Sequence, residues 1–211
     1  LNSAAFDLYP FTLNLFACKK MKEFELLNKL ETRFKNLLEL IQCFNLVSLN
    51  KSKYKELSAS SYPLDWLSAN VLVNSLQRYG QNERSLFSFL NDYSQYSIKK
   101  VNQDFYTVSN VFDYLVNSLP TEVNSSQNPH RAQWLTTFRA LEKAELLFED
   151  DFGVVSEVIK TIGLVNIFSK IGGRFDENFI ESYFKIVRDK EVEPILTKLK
   201  IAGVLRFYKH S

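Results

Sequence analysis

Met21, Phe24, Leu27, Leu30, Phe34, Leu37, Ile41 and Phe44 fall three or four residues apart. That spacing lays one apolar stripe along an α-helix and does not suit a strand, whose side chains change face at every residue. Lys20, Lys22, Lys29, Arg33 and Lys35 lie off the stripe and read as a solvated basic face. The segment Asn50 to Ser61 is rich in Ser and Lys, poor in apolar residues, and reads as a loop.

The helical period returns further on. Ser60 or Ser61 is placed to cap a second helix, with Pro63 in its first turn, Asp65 favouring its dipole, and Trp66, Leu67, Ala69, Val71, Leu72 and Leu76 along it. Gly80 is expected to end it in the left-handed conformation, and Asn82 to cap a short helix carrying Leu86, Phe87, Phe89 and Leu90. A helix over Ser109 to Leu119 stops at Pro120, and Thr121 to Pro129 reads as a flexible polar connector. Arg131 to Phe148 follows, with Trp134, Leu135, Phe138 and Leu141 on one face, and then an apolar helix from Phe152 to Phe168.

The last sixty residues have the order helix (Val154 to Ser169), turn (Lys170 to Gly173), Asp176 cap, helix (Glu177 to Val187), helix (Glu191 to Ala202) and a β-type run from Val204 to Tyr208. That order is winged-helix-like, with Phe175 and Ile180 as a hydrophobic staple and no return strand before Ser211. The fold class expected is therefore mainly α: a helical bundle followed by a winged-helix-like domain with little β structure. The divisions expected are 1–120, a helical lid-like bundle; 121–151, a connector and linking helix; and 152–211, the winged-helix-like domain with its wing truncated. The truncated wing and the start at Leu1 suggest a fragment of a longer protein.

Composition narrows function by exclusion. Over 211 residues, 26 Lys and Arg face 24 Asp and Glu, a net charge of +2 that gives no general affinity for polyanions. Six glycines and two histidines leave no phosphate loop, no GxGxxG, no HExxH and no GxSxG, and His130 and His210 lie far apart. No catalytic motif is present and no metal site is expected; Glu149, Asp150 and Asp151 read as solvated acids in a turn. Cys18 and Cys43 make no CxxC pair, read as small buried hydrophobes and suit a reducing, cytoplasmic setting. No apolar run approaches the ~20 residues needed to span a bilayer, so no membrane association is expected. The 18 phenylalanines sit mostly on helical stripes and read as core, not as stacking platforms.

The most distinctive stretch is Tyr79-Gly80-Gln81-Asn82-Glu83-Arg84-Ser85-Leu86-Phe87-Ser88-Phe89-Leu90, preceded by Tyr62-Pro63-Leu64. It resembles a motif in large prokaryotic P-loop ATP-binding proteins, some associated with phage defence, where it lies beyond the nucleotide-binding core. Leu164 to Phe168 and the ending Leu199 to Tyr208 resemble the same group's helical and winged-helix-like continuation, so the likeness runs from Tyr62 to the end. It implies a non-catalytic part of a cytoplasmic ATPase of the AAA type, coupling nucleotide state to a partner or effector. ATP and Mg are implied for the parent protein, with none bound by this chain alone; the partner is an ATPase core in the same polypeptide or a separate protein. Arg84, with Gln81 and Asn82, is the candidate for nucleotide sensing, because a lid arginine can hold phosphates through a fixed guanidinium fork. The plainer reading gives Glu83 and Arg84 ordinary ion pairs and Gln81 and Asn82 a part in satisfying helix ends.

The alternative is a free-standing DNA-binding or protein-interaction regulatory domain. From Lys170 to Ser211 there are nine Lys and Arg against six Asp and Glu, a small basic excess. Lys198, Lys200, Arg206 and Lys209 could touch a DNA backbone, whereas Glu191 and Glu193 would face phosphates at the front of the recognition helix.

Overall fold

The computed structural model describes residues 24–44, 46, 62–80, 83–100, 105–168 and 175–206. Nine α-helices follow one another there: α1 Phe24–Cys43, α2 Trp66–Tyr79, α3 Glu83–Leu90, α4 Val108–Ser118, α5 Pro120–Asn124, α6 Arg131–Leu147, α7 Phe152–Phe168, α8 Glu177–Arg188 and α9 Glu193–Ile201. Among the described residues there is no strand, only an isolated parallel bridge between Leu64 and Tyr106, and the protein is mainly α as the periodicity predicts. The Asn50–Ser61 loop and the Lys170–Gly173 turn lie outside the described residues.

α7 is the centre of the packing, because its run of Val, Ile, Leu and Gly is apolar nearly all round. It lies against α6, α4 and α2, while α1 packs on α8. Gly163 faces α6 at close range: a Cβ there would stand 2.6 Å from both the Oγ1 and the Cγ2 of Thr137, so only glycine lets α7 approach α6 this closely. A single apolar cluster includes Phe34 of α1, Leu72 of α2, Leu115 of α4, Trp134 of α6, Val165 of α7, Phe184 of α8 and Leu199 of α9. The stripe of α1 enters it as expected, through Leu30, Phe34, Leu37 and Ile41. Arg33 does not stay in solvent, contrary to the reading of a solvated basic face, whereas Lys35 is exposed. Its guanidinium lies 4.8 Å from the Phe105 ring centroid and its Nε donates to the Ile186 carbonyl at 2.8 Å, tying α1 to α8.

Several local expectations change. Pro63 does not enter α2: the Tyr62–Pro63 peptide is cis, and Asp65, not Ser60 or Ser61, caps the helix by accepting from Leu67 N and Ser68 N at 2.9 Å each. Pro120 opens α5, where its missing N–H costs nothing, and buried Val123 makes the supposed flexible connector part of the core. Cys43 is exposed at the end of α1, not buried; Cys18 lies outside the described residues. Phe175 meets Phe179 at 6.0 Å between ring centroids, beside the Asp176 cap of α8.

Val204 and Leu205 do not begin a strand, contrary to the β-type reading; Phe207 and Tyr208 lie outside the described residues. Gly203 has φ +66°, its N–H donates to the Lys200 carbonyl at 3.0 Å, and Val204 N donates to the Leu199 carbonyl at 2.9 Å. This is a Schellman closure, which folds the chain back over the end of α9 and occupies the amides that a strand would have offered to a partner.

Two buried polar knots fasten distant segments. Asp65 is fully buried, and its carboxylate also accepts from Ser68 Oγ and, at 2.7 Å, from Tyr183 Oη of α8; that phenol in turn accepts from Val108 N at 3.3 Å. The Arg188 side chain, 5% exposed, gives Nε to Glu157 at 3.0 Å, Nη1 to the Phe105 carbonyl at 2.9 Å, and Nη2 to Thr107 Oγ1 and Asn110 Oδ1 at 2.9 and 3.2 Å. The guanidinium thus satisfies the polar groups at the start of α4 and links them to α7 and α8.

Burial raises the Asp65 pKa above the ordinary carboxyl range, against the lowering effect of its hydrogen bonds from Ser68, Tyr183 and Leu67. A folded-state pKa above the unfolded one means that the native state favours the protonated acid. Asp65 therefore contributes stability at pH values below the unfolded pKa, and that contribution is lost as pH rises through the folded value. Asp65→Asn keeps the cap acceptor without the charge and is expected to gain on the wild type as pH is raised from 4 to 8 in denaturant titrations. Asp65→Ala should cost about 2–4 kcal/mol, since it removes a cap and strands the Ser68 and Tyr183 hydroxyls. An Asp65→Asn curve running parallel to the wild type across that range would show that the buried carboxyl does not titrate as argued.

Candidate functional site

The motif Tyr79 to Leu90 falls at the joint between α2 and α3, and a surface cleft of about 400 Å³ opens beside it. Leu76, Tyr79 and Gly80 come from the end of α2, Ser85 and Ser88 from α3, Tyr114 and Ser118 from α4, and Glu122 from α5; Asp92 and Leu119 complete the lining. The size is at the lower end for a small-molecule site.

Gly80 shapes the joint, though not as expected. Its φ of −106° and ψ of −175° are extended, so the left-handed stop predicted from the sequence is not used. What requires glycine is space: a Cβ would lie 2.1 Å from Ser85 Oγ and 2.9 Å from the Leu76 carbonyl oxygen. The first turn of α3 is therefore pressed against the end of α2.

Tyr79, one residue earlier, holds the joint to the core. Its hydroxyl accepts from Trp134 Nε1 at 2.9 Å and donates to Asn128 Oδ1 at 3.3 Å, and its ring meets Phe168 edge-on at 5.8 Å. Asn128 is itself fixed, with its amide donating to the Val123 carbonyl and its oxygen accepting from His130 N, each at 2.9 Å. The His130 ring lies 6.3 Å from that of Phe168, with a buried Nδ1 that has no hydrogen-bond partner. Burial, and then the charge of Arg78, hold the imidazole below its usual pKa, so it is neutral at pH 7.

The electrostatics of the cleft are acidic. Burial works slightly against ionisation of Asp92, but hydrogen bonds from Ser94 and the backbone, with the Lys100 charge, hold its pKa below the ordinary range. Its two oxygens accept from Ser94 N at 2.9 Å and Ser94 Oγ at 2.6 Å. Burial, followed by the Asp92 charge, raises the Tyr114 pKa despite its bond with Ser118, so this phenol stays protonated. The described lining thus combines hydroxyl groups with two carboxylates and includes no Lys, Arg or His. These described groups suit a hydrogen-bonding or cationic ligand. No group of three His, Cys, Asp or Glu side chains able to hold a metal is found among the described residues.

Of the residues singled out for nucleotide sensing, Gln81 and Asn82 lie outside the described residues, as does the side chain of Arg84; its backbone belongs to the first turn of α3. Among the cations proposed for DNA, Lys198 meets Asp151 at 3.2 Å and Lys200 pairs with Glu177. Arg206 is exposed beyond the end of α9, and Lys209 lies outside the described residues. Sequence reasoning gave Tyr79, Tyr183 and Arg188 no role, because their partners lie 31 to 118 residues away. No family model, characterised protein or solved structure matches the chain. No helix of the described residues is long and apolar enough to cross a membrane.

Gly80→Ala tests whether the close joint is needed. The added methyl must displace Ser85 or the end of α2, for an expected loss of about 1–3 kcal/mol, and Gly80→Ala/Ser85→Gly should recover part of it because the side chain being struck is removed. Gly153→Ala, where a Cβ would meet nothing within 4 Å, is the matched control and should be neutral or better in thermal unfolding.

Proposed function

We propose that this chain is a non-catalytic helical and winged-helix-like segment of a cytoplasmic P-loop ATPase, and that it couples nucleotide state to a partner or effector. The observation that carries the reading is the attachment of the α2–α3 joint to the core. Tyr79 connects the residue before Gly80 to α6 through Trp134 and to α7 through Phe168, and α7 continues to α8 through Glu157 and Arg188. A displacement imposed at the joint by a neighbouring ATPase core has a packed route to the last helices, and packed interiors transmit strain instead of absorbing it. The resemblance of Tyr79 to Leu90 to the ATP-binding group is what supports an ATPase core as that neighbour. The order α7, α8, α9 agrees with the three helices of a winged helix.

DNA binding is the weaker reading. Lys198 and Lys200 already face carboxylates, and contact with phosphate would first have to break those pairs.

In the natural protein that carries the ATP-binding core, Arg84→Ala should lower ATP turnover or the nucleotide-dependent response at least about tenfold, a modest share of what a phosphate-contacting arginine contributes, with the melting temperature unchanged. Normal turnover and normal coupling would remove Arg84 from the mechanism. A labelled duplex titrated with the present chain at 50 mM salt should show a Kd no tighter than the ~10⁻⁵ M of non-specific contact. Tighter binding, lost in Lys198→Glu/Lys200→Glu, would reverse the order of the two readings.

A further inference from the structure

His130 stands between the turn after α5, the start of α6 and the end of α7. It occupies the N-cap position of α6, yet its side chain makes no capping hydrogen bond. Its Nδ1 is buried with no partner, and its ring rests 6.3 Å from that of Phe168. The backbone of His130, by contrast, is engaged on both sides: the N–H donates to Asn128 Oδ1 at 2.9 Å and the carbonyl accepts from Trp134 N at 3.1 Å. Asn128 and Trp134 are the two residues that hold the Tyr79 hydroxyl. The imidazole therefore lies at the base of the contact that fixes the α2–α3 joint to α6.

A neutral ring suits that place and a charged one does not. An imidazolium carries N–H at both nitrogens, so Nδ1–H would be buried without an acceptor, whereas the neutral ring can keep its hydrogen at Nε2. The free amides at a helix start oppose a cation. The first turn of α6 offers no acid against it and instead brings Arg131, whose Nε donates to the Asn124 carbonyl. From α2 comes the charge of Arg78, of the same sign and on an exposed side chain. α7 presents the Phe168 ring, the turn from Ser125 to Pro129 is uncharged, and the acid of α5, Glu122, lines the cleft.

We propose that His130 is a pH-sensitive latch on the α2–α3 joint: uncharged, it lets the start of α6 close on Tyr79, and protonation drives the ring from Phe168 and frees the Tyr79 hydroxyl from Asn128 and Trp134. Burial, and then Arg78, set the folded pKa below the unfolded value of ~6.5. The stability that the packed ring contributes is complete above the unfolded value and is lost as pH falls through the folded one. Asp65 acts in the opposite direction, so the two effects must be read at their own sites and not from one global melting curve. The latch needs neither an ATPase core nor Arg84, and it stands apart from the coupling reading.

The test uses the 211-residue chain with His210→Gln, which leaves one imidazole to titrate. In NMR spectra recorded between about pH 7.5 and 4.5, the His130 ring should titrate below the midpoint of a free imidazole. Hydrogen-exchange protection of the Trp134 indole and backbone N–H groups should fall at least about threefold across that midpoint, while protection in α8 holds. His130→Gln, neutral at every pH, should lose the pH dependence at Trp134. Arg78→Gln, a change at an exposed side chain, should move the His130 midpoint upward and carry the Trp134 response with it, which keeps the test decisive even where His130→Gln is poorly folded. The proposal is overturned by a His130 midpoint at or above that of a free imidazole, by a Trp134 response that survives in His130→Gln, or by one that stays in place in Arg78→Gln. A loss of equal size throughout α8 would also overturn it, since that is the mark of general unfolding by acid.

Discussion

A carboxyl group with no access to water must find its hydrogen bonds inside the protein, and Asp65 finds them from two distant parts of the chain. Its backbone donors are the first amides of α2, its nearest hydroxyl is Ser68, and its last partner is the phenol of Tyr183, 118 residues away on α8. The same phenol receives the first amide of α4. Three helices are therefore positioned by one pair of side chains. Each of those helix ends would otherwise bury an unpaired polar group at a cost of about 1–3 kcal/mol. Burial opposes the charge on Asp65, so the pair contributes less as net stabilisation than as a register for α2, α4 and α8.

Arg188 performs the corresponding task one turn beyond Tyr183 on α8. Its five donors suit a place where a helix cap, a backbone carbonyl and a carboxylate converge, and a lysine could not satisfy all of them from one point. With Arg33 reaching the Ile186 carbonyl, the second half of α8 is tied to α1, to the start of α4 and to α7. The apolar core supplies the driving force, through α7 and the aromatic contacts around Phe34, Phe105, Phe112 and Trp134. The polar ties decide which of the many ways of packing greasy helices is adopted.

Periodicity made the helices legible because the information is local. The α1 stripe, the apolar run of α7 and the Asp176 cap are each contained within a few turns, and all of them appear where the sequence places them. Ends were harder wherever a distant partner decides. Asp65 reads as a dipole-favouring residue of a first turn, and only Tyr183 shows why the helix begins there instead. Gly80 reads as a left-handed stop, yet an approaching Ser85 is what excludes a side chain. Val204 to Arg206 has the composition of a strand, but Gly203 closes α9 with the amide that a strand would need. The cleft was legible only as a distinctive peptide, because Tyr114, Ser118 and Glu122 reach it from helices whose neighbours no local pattern specifies.

The α2–α3 joint and the ends of α6 and α9 differ in how firmly they are held. The α2–α3 joint is held through Tyr79 to the centre of the molecule, where Trp134 and Phe168 leave it little freedom to move independently. Strain at the joint therefore meets a packed interior. Among the described residues, the ends of α6 and α9 are joined by two exposed lysine contacts, one to a carbonyl and one to a carboxylate. Exposed pairs of this kind contribute little, at ~0–1 kcal/mol, so those helix ends are held more loosely than the joint.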